Sequence, residues 1–248
     1  MKHFTLDSNL FLHLSLTGRA NVCLRKALSS PFSPSLKFKG ANKYLEALVA
    51  WIDAPQLSTL YITFSSRIVF GSPILVQFIH RAPSLKAFGK ARVFVDDAFT
   101  WVNLSSQTPS CGELNVRITY TVLDRLLSFL EQVLISFLPP LSTLEDLYIY
   151  EVPHLPLDLQ GNNIENAPWA LLHPFASVKN LYLSKEFVPR IAHTLKELVR
   201  AGPTEVLPIL ENIFWERLEP SGTVQEGIEQ FVAAQQDTGH AIATTCWD

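Results

Sequence analysis

The chain has 248 residues, of which 48% are hydrophobic and only 17% charged, and it carries a formal net charge of -3. That charged fraction lies below the roughly 25% of an average soluble protein, which excludes a disordered, charge-rich chain. The balance also gives neither nucleic acid nor an acidic membrane surface an electrostatic reason to bind. Cys23, Cys111 and Cys246 are far apart, odd in number and free of any C-x-x-C pairing. They read as buried free thiols in a reducing compartment, not as a disulfide framework or a zinc site.

Near the N-terminus, Asn9 to Leu16 alternates leucine with other residues, and Asp7 and His13 interrupt its apolar character. A half-buried strand fits this better than a signal-peptide core. No run approaches the ~18 apolar residues of a membrane-spanning helix. The expectation is an intracellular protein, cytoplasmic or nuclear, with no membrane partner.

A recurring outline then organises the chain. It is clearest in Pro139 to Glu151, where Leu141, Leu144 and Leu147 follow the prolines and lead into Leu147-Tyr148-Ile149-Tyr150. This is a turn followed by a strand entered through Leu-x-x-Leu-x-Leu, the unit of a leucine-rich repeat. The middle residues of successive matches are Leu12, Leu36, Leu60, Phe88, Leu114, Leu147, Leu181 and Ile213, with spacings of 24, 24, 28, 26, 33, 34 and 32. Leu12 and Leu36 are the weakest, and Leu85-x-x-Phe88 runs into Gly89 and Lys90, although Val93-Phe94-Val95 can supply a strand just after. Pro55, Pro83, Pro109 and Pro208 each stand two residues before the first apolar residue of a match, and Pro140 and Pro174 four before. Proline cannot continue a helix, so these placements suit a chain turning from helix to strand.

Between the strands, helical periodicity predicts helices over Asn42 to Ile52, capped by Asn42, and over Ser72 to His80, opened by Ser-Pro. Further helices are predicted over Asp124 to Leu138 and Pro189 to Ala201. A last one runs from Val224 to Gln235, with Thr223 and Glu226 as a capping box. His240 to Thr245 leads into a final strand ending at Trp247. Residues 152–174, rich in proline and asparagine, read as one irregular loop. The whole, 1–248, is expected to be a single α/β domain: an irregular leucine-rich-repeat solenoid with parallel strands on a concave face and helices on the convex face. Residues 1–35 fit least well and read as an incomplete N-terminal edge.

Catalytic signatures are absent. The sequence has no G-x-S-x-G, no G-x-x-x-x-G-K-[ST], no G-x-G-x-x-G and no H-E-x-x-H. Asp96-Asp97 reads as a solvated turn or helix cap, and His154 and His173 flank the irregular loop without ligand spacing. No catalytic residue, metal or cofactor is expected. The repeat itself marks a different set of positions. Side chains alternate faces along a strand, so the residue after each core leucine points outward. Those positions are Tyr61, Gly89, Asn115, Tyr148, Tyr182 and Phe214, aromatic in four of six cases. Flanking outward positions add Thr63, Arg117, Tyr150 and Ser184 on one side and Thr59, Glu113, Asp146, Asn180 and Asn212 on the other. Aromatics mixed with Arg and Asn suit a protein-binding patch. The bland alternatives are that strands favour Tyr and Phe in any case, or that a terminal helix covers the sheet.

Certain segments also resemble a family. They are Ala54-Pro55-Gln56-Leu57-Ser58-Thr59-Leu60, Phe78-Ile79-His80-Arg81-Ala82-Pro83-Ser84-Leu85 and Leu141 to Ile149, together with Thr204 to Phe214. The closing Pro220-Ser221-Gly222-Thr223-Val224-Gln225-Glu226-Gly227-Ile228, followed by Gln230-Phe231-Val232-Ala233, is the most specific. From about Leu36 to Asp248 the chain resembles the C-terminal leucine-rich-repeat region of F-box-like proteins of mushroom-forming fungi. The resemblance implies an adaptor in which an F-box docks on a cullin-type ubiquitin ligase and the repeats hold an unknown target protein. Residues 1–35 supply no F-box, so the ligase link is expected only where an F-box lies upstream. The alternatives are a truncated or vestigial structural fragment and, more remotely, an enzyme that uses the loop at 152–174.

Overall fold

The computed structural model describes residues 4–7, 10–12, 35–64, 73–96, 99–107, 112–119, 141–151, 172, 174–201, 206–216, 222–237 and 239–247. The expected helix at 124–138 lies outside these residues, as do nearly all of the loop at 152–174, His154, His173, Asp97, Cys23 and Cys111. The rest is a mixed α/β chain that divides into two compact units.

The first unit contains strands β1 (Phe4–Asp7), β2 (Leu10–Leu12), β3 (Ser35–Gly40), β4 (Thr59–Phe64), β6 (Phe99–Ser105) and β7 (Glu113–Thr119). Its helices are α1 (Asn42–Val49) and α2 (Pro73–Arg81). The strands lie in the order β6-β7-β4-β3-β1-β2, an open sheet. β3, β4 and β7 are parallel, whereas β6–β7, β1–β3 and β1–β2 are antiparallel. The register sets Leu36 beside Leu60 and Leu60 beside Leu114, all buried. Three of the leucines picked out by spacing alone therefore form one row across the core.

The second unit contains β5 (Lys90–Val95), β8 (Asp146–Glu151), β9 (Asn180–Leu183), β10 (Asn212–Glu216) and β11 (Ala243–Trp247), with α3 (Val188–Ala201) and α4 (Gly222–Asp237). All its strand pairs are parallel, in the order β11-β10-β9-β8-β5. Leu147, Leu181 and Ile213 stand side by side, each buried. Helix α3 buries Ile191, Ala192 and Leu195, and α4 buries Ile228 and Phe231. Gly227 lets the two helices close up, since a Cβ there would come within 2.8 Å of the Ala192 carbonyl oxygen.

The same turn precedes five of the strands. The backbone N–H of Leu57, Leu85, Leu144, Val178 and Leu210 each donates to the carbonyl three residues earlier, at 3.0–3.2 Å. These five residues are the first apolar positions of their Leu-x-x-Leu segments. The prolines just before them remove a donor and fix φ, which favours a tight turn over a further turn of helix. In the second unit the turns also join one another. The Glu145 carbonyl accepts from Lys179 and Asn180, the Lys179 carbonyl from Glu211 and Asn212, and the Glu211 carbonyl from Ala243.

Several expectations need correction. Leu12 lies on β2, which pairs antiparallel with β1, so it anchors no parallel repeat. Phe88 is buried but not on a strand. β5 begins two residues later, and Ala91 takes the place beside Leu147. Gly89 is therefore not an outward strand residue, and Arg92 stands beside Tyr148 instead. Strand β6 has no place in a repeat of one strand per turn, and β4 pairs directly with β7. Asn42 is the first helical residue, not the cap, and the capping residue is Ala41 without a side-chain bond. Thr223 lies inside α4, which starts at Gly222. Cys246 is exposed on β11, which among the described residues has a neighbouring strand on one side only.

No helix among the described residues is long and apolar enough to cross a membrane.

Candidate binding face

On β8, β9 and β10 the core takes every second side chain, and parallel in-register pairing brings the others together. Equivalent residues on neighbouring strands lie about 4.8 Å apart, close to the thickness at which aromatic rings stack. Tyr148, Tyr182 and Phe214 occupy one such row. Tyr148 and Tyr182 stack with centroids 4.1 Å apart and planes 4° from parallel, and Tyr182 and Phe214 at 4.5 Å and 9°. A second stack joins Phe94 of β5 to Tyr150 of β8, at 4.7 Å and 15°. All five rings are half-buried.

Polar groups border the rings. Asn212 donates through Nδ2 to Asn180 Oδ1, and Asn180 in turn donates to Asp146 Oδ1, both at 2.8 Å. At the β5 end, Lys90 Nζ lies 5.2 Å from the Tyr148 centroid and the Arg92 guanidinium 5.6 Å. Arg92 also donates to the Tyr150 hydroxyl. The negative ring face attracts both cations. Seven of the eight outward residues expected of this unit (Asp146, Tyr148, Tyr150, Asn180, Tyr182, Asn212 and Phe214) thus stand on one face, whereas Ser184 lies just past the end of β9 and is buried.

The phenols are correspondingly hard to ionise. Burial pushes Tyr182 up to about 12 from an ordinary 10.0, helped by the neighbouring Tyr148, to which its hydroxyl donates, and by the Asp146 charge, while Lys90 opposes the shift. Tyr148 and Tyr150 are also raised, chiefly by burial. A group whose pKa is raised on folding holds its proton where the unfolded chain has lost it. The Tyr182 contribution is therefore full below pH 10.0 and is lost as pH rises through about 12. In an alkaline titration of phenolate absorbance, subtracting Tyr182→Phe from the natural chain should isolate a component with a midpoint near 12. A difference curve centred at the ordinary tyrosine value would refute the assignment.

The first unit places Tyr61, Asn115 and Arg117 on the corresponding face. Tyr61 is in register with Asn115, and Thr63 with Arg117. The Tyr61 hydroxyl donates to Glu113 Oε2 at 3.1 Å, Lys37 Nζ lies 5.4 Å from the Tyr61 centroid, and the Arg117 guanidinium sits 3.8 Å over Phe99. Sequence reasoning missed Trp101 and Asn103, because it had no strand at β6. The Trp101 indole donates to Asn115 Oδ1 at 2.9 Å. The alternation in Phe99-Thr100-Trp101-Val102-Asn103-Leu104-Ser105 was the signal available.

Among the described residues no three His, Cys, Asp or Glu side chains gather as a metal site. No family model, no curated protein and no solved structure matches the chain.

Proposed function

We propose that this chain is a non-catalytic protein-binding scaffold, an irregular leucine-rich-repeat solenoid whose outward strand faces hold a target protein. The observation that carries this reading is the stacked row Tyr148–Tyr182–Phe214, half-buried on the side of the sheet opposite the core and flanked by Lys90, Arg92, the Asp146 carboxylate and the Asn180 and Asn212 amides. Rings already fixed by stacking lose little side-chain entropy on binding, which suits them to be interface anchors. The likeness to fungal F-box-like proteins gives the reading a specific form, target recognition for a cullin-type ubiquitin ligase, wherever an F-box is supplied upstream.

The test replaces Tyr182 with a photo-crosslinking phenylalanine derivative in cells, with exposed Glu229 of α4 as the comparison site. Adducts to a defined protein are expected from position 182 and not from 229. Tyr148→Ala with Tyr182→Ala should then weaken that protein's binding by about thirtyfold, the effect of losing one hot spot of about 2 kcal/mol. Equal adducts at both positions, or unchanged affinity in a folded double variant, would sink the proposal.

A further inference from the structure

The face of the first unit holds an unusual pair. Asn103 and Asn115 stand directly opposite each other on β6 and β7, and they are only 4% and 3% exposed. Asn103 Nδ2 donates to Glu113 Oε1 at 2.7 Å and to Asn115 Oδ1 at 2.8 Å, and Trp101 Nε1 donates to the same Asn115 oxygen. These bonds fix both amide orientations. Turning Asn103 over would aim its oxygen at Glu113, and turning Asn115 over would aim its NH2 at the Trp101 N–H. Two amides side by side can close a reciprocal pair of bonds, but here only one forms. Among the described residues Asn103 Oδ1 and Asn115 Nδ2 find no hydrogen-bond partner, and both are buried. Each such orphan leaves its desolvation uncompensated, which native interiors rarely retain.

We infer that this unspent acceptor and donor form a recognition site for a primary carboxamide, an asparagine or glutamine side chain of the bound protein. The inference rests on the reading of the outward face as a binding face. A primary carboxamide presents its C=O and its syn N–H along one edge, so the oxygen accepts from Asn115 Nδ2 while the N–H donates to Asn103 Oδ1. A trans peptide group points its N–H and C=O in opposite directions and cannot do both. A carboxylate has no proton to give Asn103. Neither orphan atom touches solvent, so the guest enters as a longer neighbour swings aside. Half-buried Tyr61, beside Asn115 on β4 and bonded to Glu113 at 3.1 Å, is positioned to do so.

The test is a titration of the full, 15N-labelled chain with acetamide, and separately with acetate, observed at the Asn115 side-chain amide and the Trp101 indole N–H. Saturable shifts at both groups are expected with acetamide and none with acetate. Asn103→Leu with Asn115→Leu removes both orphans together and should lose the acetamide shift at the Trp101 indole, the reporter that remains. If that variant fails to fold, the contrast between acetamide and acetate on the natural chain still decides. No acetamide shift, an equal acetate shift, a response retained in a folded double variant, or a crystal structure with ordered water or a closed reciprocal bond on the two atoms overturns the inference. Loss of the acetamide response with crosslinking at position 182 intact would overturn this site alone.

Discussion

Leu181→Ala is expected to remove about 2–5 kcal/mol of folding stability, while Tyr182→Ala, one residue further along β9, removes about 1–2 kcal/mol. The two side chains leave the strand on opposite faces. Leu181 is 0% exposed, in the row Leu147–Leu181–Ile213, and truncating it leaves a cavity that the flanking strands cannot fill without losing register. Tyr182 touches Tyr148 on one side and Phe214 on the other, and each stacked cross-strand pair contributes roughly 0.2–1 kcal/mol. Urea unfolding measures both, and a shifted midpoint at unchanged slope identifies a change in stability. Equal losses, or a larger loss at Tyr182, would mean that the faces are assigned the wrong way round and that the ring row is core.

Gly112→Ala should cost about 3 kcal/mol, through overpacking and a weakened backbone hydrogen bond. Gly112 donates to the Ser84 carbonyl at 3.1 Å, where the chain enters β7. A Cβ there would press on that carbonyl oxygen and stand 2.6 Å from its carbon. The obstacle is backbone, so no side-chain rotation relieves it, and one turn must move away from the other. Leu85 Cδ2 is the third neighbour, at 3.0 Å. Adding Leu85→Ala should therefore fail to restore stability, whereas rescue by that second change would place the clash at the side chain. Thermal melting of the two variants decides.

How far the sequence revealed this arrangement depends on which physical signal each part carries. Leu36, Leu60, Leu114, Leu147, Leu181 and Ile213 were legible because parallel in-register strands demand an apolar residue at the same place in each. Their outward neighbours follow from strand alternation, which makes Tyr148, Tyr182 and Phe214 legible in the sequence. The frame failed at Phe88. There a spacing match lay just outside the strand, and the match could not show that Gly89 bonds to Ser105 before β5 starts. It failed again at β6, whose antiparallel pairing with β7 is a contact between strands that repeat spacing does not encode. The orphan amides of Asn103 and Asn115 were out of reach for the same reason, since neither residue is unusual until its partner is known.

The side chains of Asp146, Asn180 and Asn212 make the face electrically directional. Backbone dipoles in a sheet alternate and largely cancel, but these two side-chain amides donate in the same direction, Asn212 of β10 toward Asn180 of β9 and Asn180 toward Asp146 of β8. The line begins at the Asp146 carboxylate, which receives the positive end of the first amide, and finishes at the carbonyl oxygen of Asn212. On the proposed binding reading, a partner lying across the strands meets the Lys90 and Arg92 cations on β5, the Asp146 carboxylate beside them on β8 and the Asn212 carbonyl oxygen on β10. Its own charges are thereby sorted into one orientation before any ring is touched.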